Sequence, residues 1–178
     1  YRTNAQSRAM EDALRKRNIS YRIFGGLSFY QRKEVKDVLA YLRLVVNPKD
    51  EESLKRVINY PARGIGQTTV DKIVVASKKY NLPLLETLNQ IKELNVPLNN
   101  STLKKLTDFS ILIRRFQIEN ESRNAFEITD LIIKKIGFVQ ELKKDSSPEG
   151  ITRIENIQEL LNGILDFTEG QIELADKK

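Results

Sequence analysis

The sequence predicts a mainly α fold: a helical domain with a helix-hairpin-helix-like turn, preceded by an incomplete α/β segment. Three observations carry that reading. From Asp50 onward, apolar residues recur at helical spacing in one segment after another. Before Asp50, two short β-favouring pieces each lead into a helical pattern. Between two of the later helical segments lies "YPARGIGQTT". There Pro61, Gly64 and Gly66 fall within six residues of a chain that holds only 8 Gly and 5 Pro.

The elements follow in order. Residues 1–4 read as the end of a strand. "AQSRAMEDALRKRN" reads as a helix, with Ala9, Met10, Ala13 and Leu14 at helical spacing. "SYRIFGG" is a β-favouring run stopped by glycines. "YQRKEVKDVLAYLRLVV" is a helix whose apolar stripe is Val35, Val38, Leu39, Leu42 and Val46, and Pro48 disfavours its continuation at Asn47. Two short strands cannot build a sheet with a buried face, so the remainder of that sheet must come from elsewhere.

After Asp50 the predicted helices are 51–59, 68–80, 84–94, 101–120, 125–136 and 151–167. The fourth has Leu103, Leu106, Phe109, Ile113 and Phe116 on one side, with Ser101 or Thr102 as its cap. Gly137 is the expected C-terminal stop of the fifth. Residues 145–150, rich in Ser, Pro and Gly, read as a loop. The sixth helix carries Ile154, Ile157, Leu160, Leu161 and Ile164 on its core face, and the tail "TEGQIELADKK" shows no pattern. Because the chain opens at Tyr1, it is expected to be an excerpt of something longer.

Composition narrows the chemistry. The chain has 178 residues, 40% of them hydrophobic and 30% charged, which suits one globular domain or two small ones. It contains no Cys and no His. This excludes disulfides, cysteine nucleophiles, serine–histidine triads and zinc sites built on those ligands. No catalytic residue and no metal ligand is assigned. The lack of cysteine fits a reducing cytoplasm. No apolar run approaches the ~20 residues of a membrane span. The formal net charge of +6 sits entirely within residues 1–43, where ten Lys and Arg face four acids. A basic segment beside a neutral one fits a polyanion partner or a solvated helix face.

The glycine-rich turn has a specific physical reading. Glycine lets the backbone take positive φ and come close to a ligand. The free N–H groups of Gly66, Gln67 and Thr68 open a helix whose positive dipole end favours an anion, such as a nucleic-acid phosphate. Ile65 would pack beneath the turn and fix its shape. Arg63 and Lys72 would add charge, and Thr68 and Thr69 further hydrogen bonds. The competing reading is a tight helix–helix turn in which Thr68 and Asp71 form a cap.

Three segments together, "YRTNAQSR", Tyr21 through "YPARGIGQTT" and "TRIENIQEL", resemble the UvrD/PcrA/Rep-type superfamily 1 DNA helicases in order and spacing. The resemblance is close over residues 1–80, thinner over 81–150, and resumes at "TRIEN". It implies a RecA-like 2A motor segment over residues 1–50 and a helical 2B accessory domain over 51–178. It implies an ATP-dependent helicase moving 3′ to 5′, with ATP and Mg2+ in the full-length protein and no cofactor in this fragment. No G-x-x-x-x-G-K-[ST] phosphate loop occurs here. The implied partner is DNA at a duplex–single-strand junction. The turn Arg63, Gly64, Ile65, Gly66, Gln67, Thr68 and Thr69 is similar to the family's duplex contact. Gly26, Leu27, Ser28 and Phe29, with Arg32, Arg2 and Asn4, correspond to its single-strand contacts, although Ser28 stands where members often carry Lys or Arg. Arg8 is expected to brace the fold. The run Arg32 to Asp37 would pair internally at helical spacing or face DNA.

Two other readings stay open. One is a stand-alone helix-hairpin-helix DNA-binding module, and the other a helical protein-interaction domain. The incomplete α/β half favours the helicase fragment, because an independent module would not carry two unpaired strands. It also implies exposed apolar surface on which the fragment would pair with a second copy.

Overall fold

The computed structural model describes residues 4–21 and 28–175, and among them there is helix and no strand. The two predicted strands, in residues 1–4 and 20–26, thus fall almost wholly outside the described residues, except that Asn4 already belongs to the first helix. The elements are α1 (Asn4–Lys16), a 3-10 turn (Phe29–Gln31), α2 (Lys33–Val46), α3 (Glu51–Val57), α4 (Gln67–Tyr80), α5 (Leu84–Asn89), α6 (Asn100–Asn120), α7 (Ala125–Lys135), α8 (Phe138–Leu142) and α9 (Pro148–Ala175). No helix among the described residues is long and apolar enough to cross a membrane.

The chain forms two compact units, one of residues 1–38 with 124–178 and one of residues 39–123. In the second, α5 packs against α3, α4 and α6. Its core is Tyr41, Leu44, Leu54, Val57, Ile58, Ile65, Ile73, Leu84, Leu88, Leu106, Phe109 and Ile113, all buried. Each fully buried side chain of this size contributes roughly 1.5–3 kcal/mol. The predicted stripe of α2 holds at Val35 and Val38, both fully buried, and fails at its C-terminal end. Val46 is 73% exposed, while Tyr41, Leu44 and Val45 point inward. Tyr41 has a hydroxyl that reaches backbone carbonyls, so it can be buried with its polar end satisfied.

In the first unit, α9 packs against α1, α7 and α8. Ile128, Ile132, Ile133, Phe138, Ile157 and Leu160 are buried there. The predicted apolar stripe of α1 is not its buried face. Ala9, Met10 and Ala13 are exposed, whereas Glu11 is buried. Hydrogen bonds from Tyr21, Ser28 and the Phe29 amide satisfy the Glu11 carboxylate. That compensation is what permits the burial of a carboxylate. Arg8 braces α1 on α9 through Glu159 at 2.6 Å and Asp166 at 3.4 Å, and it also pairs with Asp12 at 3.2 Å. A Cβ at Gly163 would collide with an Arg8 terminal nitrogen.

Helix ends differ from the sequence reading in several places, among them the start of α9, which takes in Pro148, Glu149 and Gly150 of the predicted loop. The cap of α6 is Asn99, whose side chain accepts from the Thr102 amide at 2.8 Å, and not Ser101 or Thr102. The helix predicted over 84–94 closes at Asn89 and continues as turns. The tail that lacked a pattern is helical through Ala175. Thr168 is buried in it, with its hydroxyl bonded to the Ile164 carbonyl. Once the apolar first half of α9 is fixed, extension adds one bond per residue and needs little periodicity. Gly137 stops α7 as expected, at φ 68.

Two outcomes follow from these contacts. Asp50 caps α3 by accepting from the Ser53 amide at 3.0 Å and hydroxyl at 2.7 Å. The backbone bond from Ser53, first, holds the Asp50 carboxyl below its ordinary 3.8. A depressed pKa stabilises the fold fully above the unfolded value and loses that stabilisation as pH falls through the folded one. Asp50→Ala should therefore lower stability by about 1 kcal/mol at neutral pH, and the gap should narrow in acid below that value. Urea unfolding across the range checks this, and a gap that is constant with pH contradicts it. Gly163→Ala should destabilise the wild type by displacing Arg8, yet stabilise Arg8→Ala by about 0.5–1 kcal/mol through helix propensity. A thermal double-mutant cycle reads the change of sign.

Candidate nucleic-acid interface

The turn between α3 and α4 is built by residues on both sides of it. Asn59, just past α3, accepts from the amides of Arg63 and Ile65, each at 3.0 Å, through one side-chain oxygen. The Tyr60–Pro61 bond is cis. Tyr41 donates its hydroxyl proton toward the Tyr60 carbonyl at 2.5 Å. Ile65 is 1% exposed and anchors the turn, while Gly64, Gly66, Gln67 and Thr68 face solvent. Gly64 takes φ 69, a conformation that side-chain-bearing residues adopt only with strain.

Gly66 is the N-cap of α4, in an extended conformation with no side-chain cap bond. The Thr69 and Val70 amides bond back to the Gly66 carbonyl. Among the described residues nothing accepts from the amides of Gly66, Gln67 and Thr68. Thr68 and Asp71 do not form the capping box of the turn-only reading. Asp71 instead accepts from the Gln67 side-chain amide at 2.9 Å. Three exposed donors at the positive end of a 14-residue helix therefore stand on a fixed scaffold. A Cβ added at Gly66 would meet nothing within 4 Å, so that side of the turn is open.

Arg63 has a different place from the one its charge suggested. Its guanidinium donates to the carbonyls of Val57 at 2.9 Å, Ile58 at 3.4 Å and Pro61 at 3.3 Å, and to the Tyr41 hydroxyl at 2.7 Å. It also lies 5.2 Å from the centre of the Phe109 ring. Arg63 thus closes the C-terminal end of α3, where a cation meets the negative dipole end and the last free carbonyls. Lys72 donates to the Pro97 carbonyl at 2.9 Å. Lys105, on α6, reaches the Gly64 carbonyl at 3.3 Å.

The predicted single-strand set divides. Arg2, Gly26 and Leu27 lie outside the described residues, and Asn4 opens α1. Ser28, Phe29 and Arg32 are brought together in the first unit. The Ser28 hydroxyl donates to Glu11, as does the Phe29 amide at 2.8 Å, and the Phe29 ring is fully buried. Arg32 donates to Asn156 at 3.2 Å, and Asn156 in turn donates to Glu34 at 2.6 Å. The run that begins at Arg32 does pair internally, through Lys33 and Asp37 at 2.9 Å. Sequence reasoning missed Asn59, Tyr41, Glu11 and Asn156. An asparagine at a helix end is a usable signal for a loop-holding side chain. A buried glutamate inside an apparent apolar stripe gives none.

A family model described as the UvrD-like helicase C-terminal domain matches residues 1–177. The ATP-dependent DNA helicase PcrA of Staphylococcus epidermidis is 37% identical over 169 residues, covering 95% of this chain and 23% of that protein. PcrA of Staphylococcus aureus is 36% identical over the same shares. The chain therefore spans 23% of the length of these curated relatives. With the match running from the first residue to the last but one, the chain belongs to the UvrD-like helicase C-terminal domain family.

Proposed function

We propose that this chain is the DNA-contacting and regulatory portion of an ATP-dependent 3′-to-5′ DNA helicase. In this reading it meets a duplex–single-strand junction and holds no ATP site of its own. Residues 1–50 are part of a RecA-like 2A motor domain and 51–178 most of a 2B accessory domain with a helix-hairpin-helix-like turn. The observation that carries the reading is the row of unpaired, exposed amides at Gly66, Gln67 and Thr68 on a turn held by Asn59, Tyr41 and Arg63. Such donors take a backbone phosphate and position a duplex without reading its sequence.

The single-strand contacts of this proposal are Arg2, Asn4, Gly26, Leu27, Ser28, Phe29 and Arg32. Of these, Phe29 is wholly buried with its amide donating to Glu11, so its part is to fix the loop and not to touch the strand. ATP and Mg2+ are assigned to the whole protein. Among the described residues no group of three or more acids fits a metal ion, and no step of hydrolysis is assigned to them. The setting is cytoplasmic.

A second reading, a protein partner on the helical domain, is favoured by Ile111 and Ile118. They lie seven residues apart on one face of α6, at 45% and 59% exposure. Met10 and Ile19 are similarly exposed in the first unit, where a second copy would pair.

Gly66→Val separates grip from fold, because a side chain there has room in the protein and obstructs a ligand. In the full-length protein it should weaken duplex binding roughly tenfold or more while leaving thermal stability and single-strand binding unchanged. Fluorescence anisotropy with duplex and single-stranded probes decides it, and unaltered duplex affinity reduces the turn to a turn.

A further inference from the structure

Beside the Gly64 turn runs an open groove of about 540 Å³, floored by Phe109 and Leu112 and edged by Arg63, Lys105, Asp108 and Arg115. Its charges are unequally committed. Arg63 is engaged by three carbonyls and the Tyr41 hydroxyl. Lys105 has a single carbonyl at 3.3 Å. Arg115 is exposed, and it has no hydrogen bond or ion pair among the described residues. Asp108, the one acid of the groove, pairs with neither cation. The Lys105 ammonium lies 2.7 Å from the position of a Gly64 Cβ, so a lightly held cation stands over the turn itself, two residues from the unpaired amides.

We propose that Lys105 and Arg115 are phosphodiester contacts, extending the nucleic-acid surface from the turn along α6. The inference rests on the reading of the turn as a duplex contact and adds two residues that the glycine-rich motif does not contain. Ten helical residues separate Lys105 and Arg115 by about 15 Å along the axis, too far to share one phosphate. Each cation therefore takes its own phosphate, and their effects add.

The test is the salt dependence of binding by the full-length protein to a fluorescein-labelled blunt duplex. Each phosphate contact contributes about 0.9 to the slope of log affinity against log salt, or about 3.5-fold in affinity between roughly 50 and 200 mM. Arg115→Gln and Lys105→Gln should each reduce the slope by that amount, and the double variant by twice it. Arg115 has no hydrogen bond or ion pair with the turn, so its variant reads the groove without removing a bond that holds the loop. Lys92→Gln, an exposed lysine elsewhere in the same unit, should leave the slope unchanged. Wild-type slopes for both groove variants overturn the inference, and so does an equal fall for Lys92→Gln, which marks a diffuse field. If Gly66→Val weakens binding while the groove variants keep the wild-type slope, the inference falls and the turn reading stands. If Gly66→Val is silent, the turn reading falls whatever the slopes do.

Discussion

A helix that ends inside a protein must find donors for its last carbonyls, and the guanidinium of Arg63 meets that need for α3. The geometry of the neighbouring turn depends on this closure. Because one planar group reaches three carbonyls and a tyrosine hydroxyl at once, the chain after α3 is folded back on itself within a few residues. Asn59 then fixes the next two amides, and Ile65 fills the space below. The amides at the start of α4 are left exposed because the side chains that shape the turn are committed to other partners. Here the exposure of those amides is an effect of satisfying a helix C-terminus first.

The first unit follows a related rule with acids in place of carbonyls. Glu11 is buried and accepts from two hydroxyls and an amide. Asn156, also buried, links Arg32 to Glu34. Buried polar groups of this kind specify one arrangement, since any shift leaves a partner unsatisfied in a low-dielectric interior. The price is a dependence on every member of the network. The same unit raises the Tyr30 hydroxyl to about 12, through burial first and the neighbouring Asp12 second.

Much of this was legible in the sequence, for reasons that can be stated. Helical spacing located α6 and α9 and their core residues, because Leu106, Phe109, Ile113 and Phe116 repeat at the period of a buried face. The turn was legible from Gly64, whose positive φ requires glycine, and from apolar Ile65 between two exposed neighbours. The face of α1 was not, because a carboxylate satisfied by partners distant in sequence looks like any surface acid. Nor was the role of Arg63, since a cation near a glycine-rich turn reads as a ligand contact until its carbonyl partners are known. Lys105 and Arg115 carry no local signal at all. Lys105 reaches the turn only through the packing that sets α6 beside it.

The glycine beneath Arg8 has an implication for descent. Position 163 is small because a guanidinium occupies the space where its side chain would be, and that guanidinium is held by three acids. Neither residue is free to drift alone. A lineage that enlarges position 163 must first give up or shorten the arginine, and one that loses the arginine frees Glu159 and Gly163 together. The two positions, almost a chain length apart, thus limit each other's size.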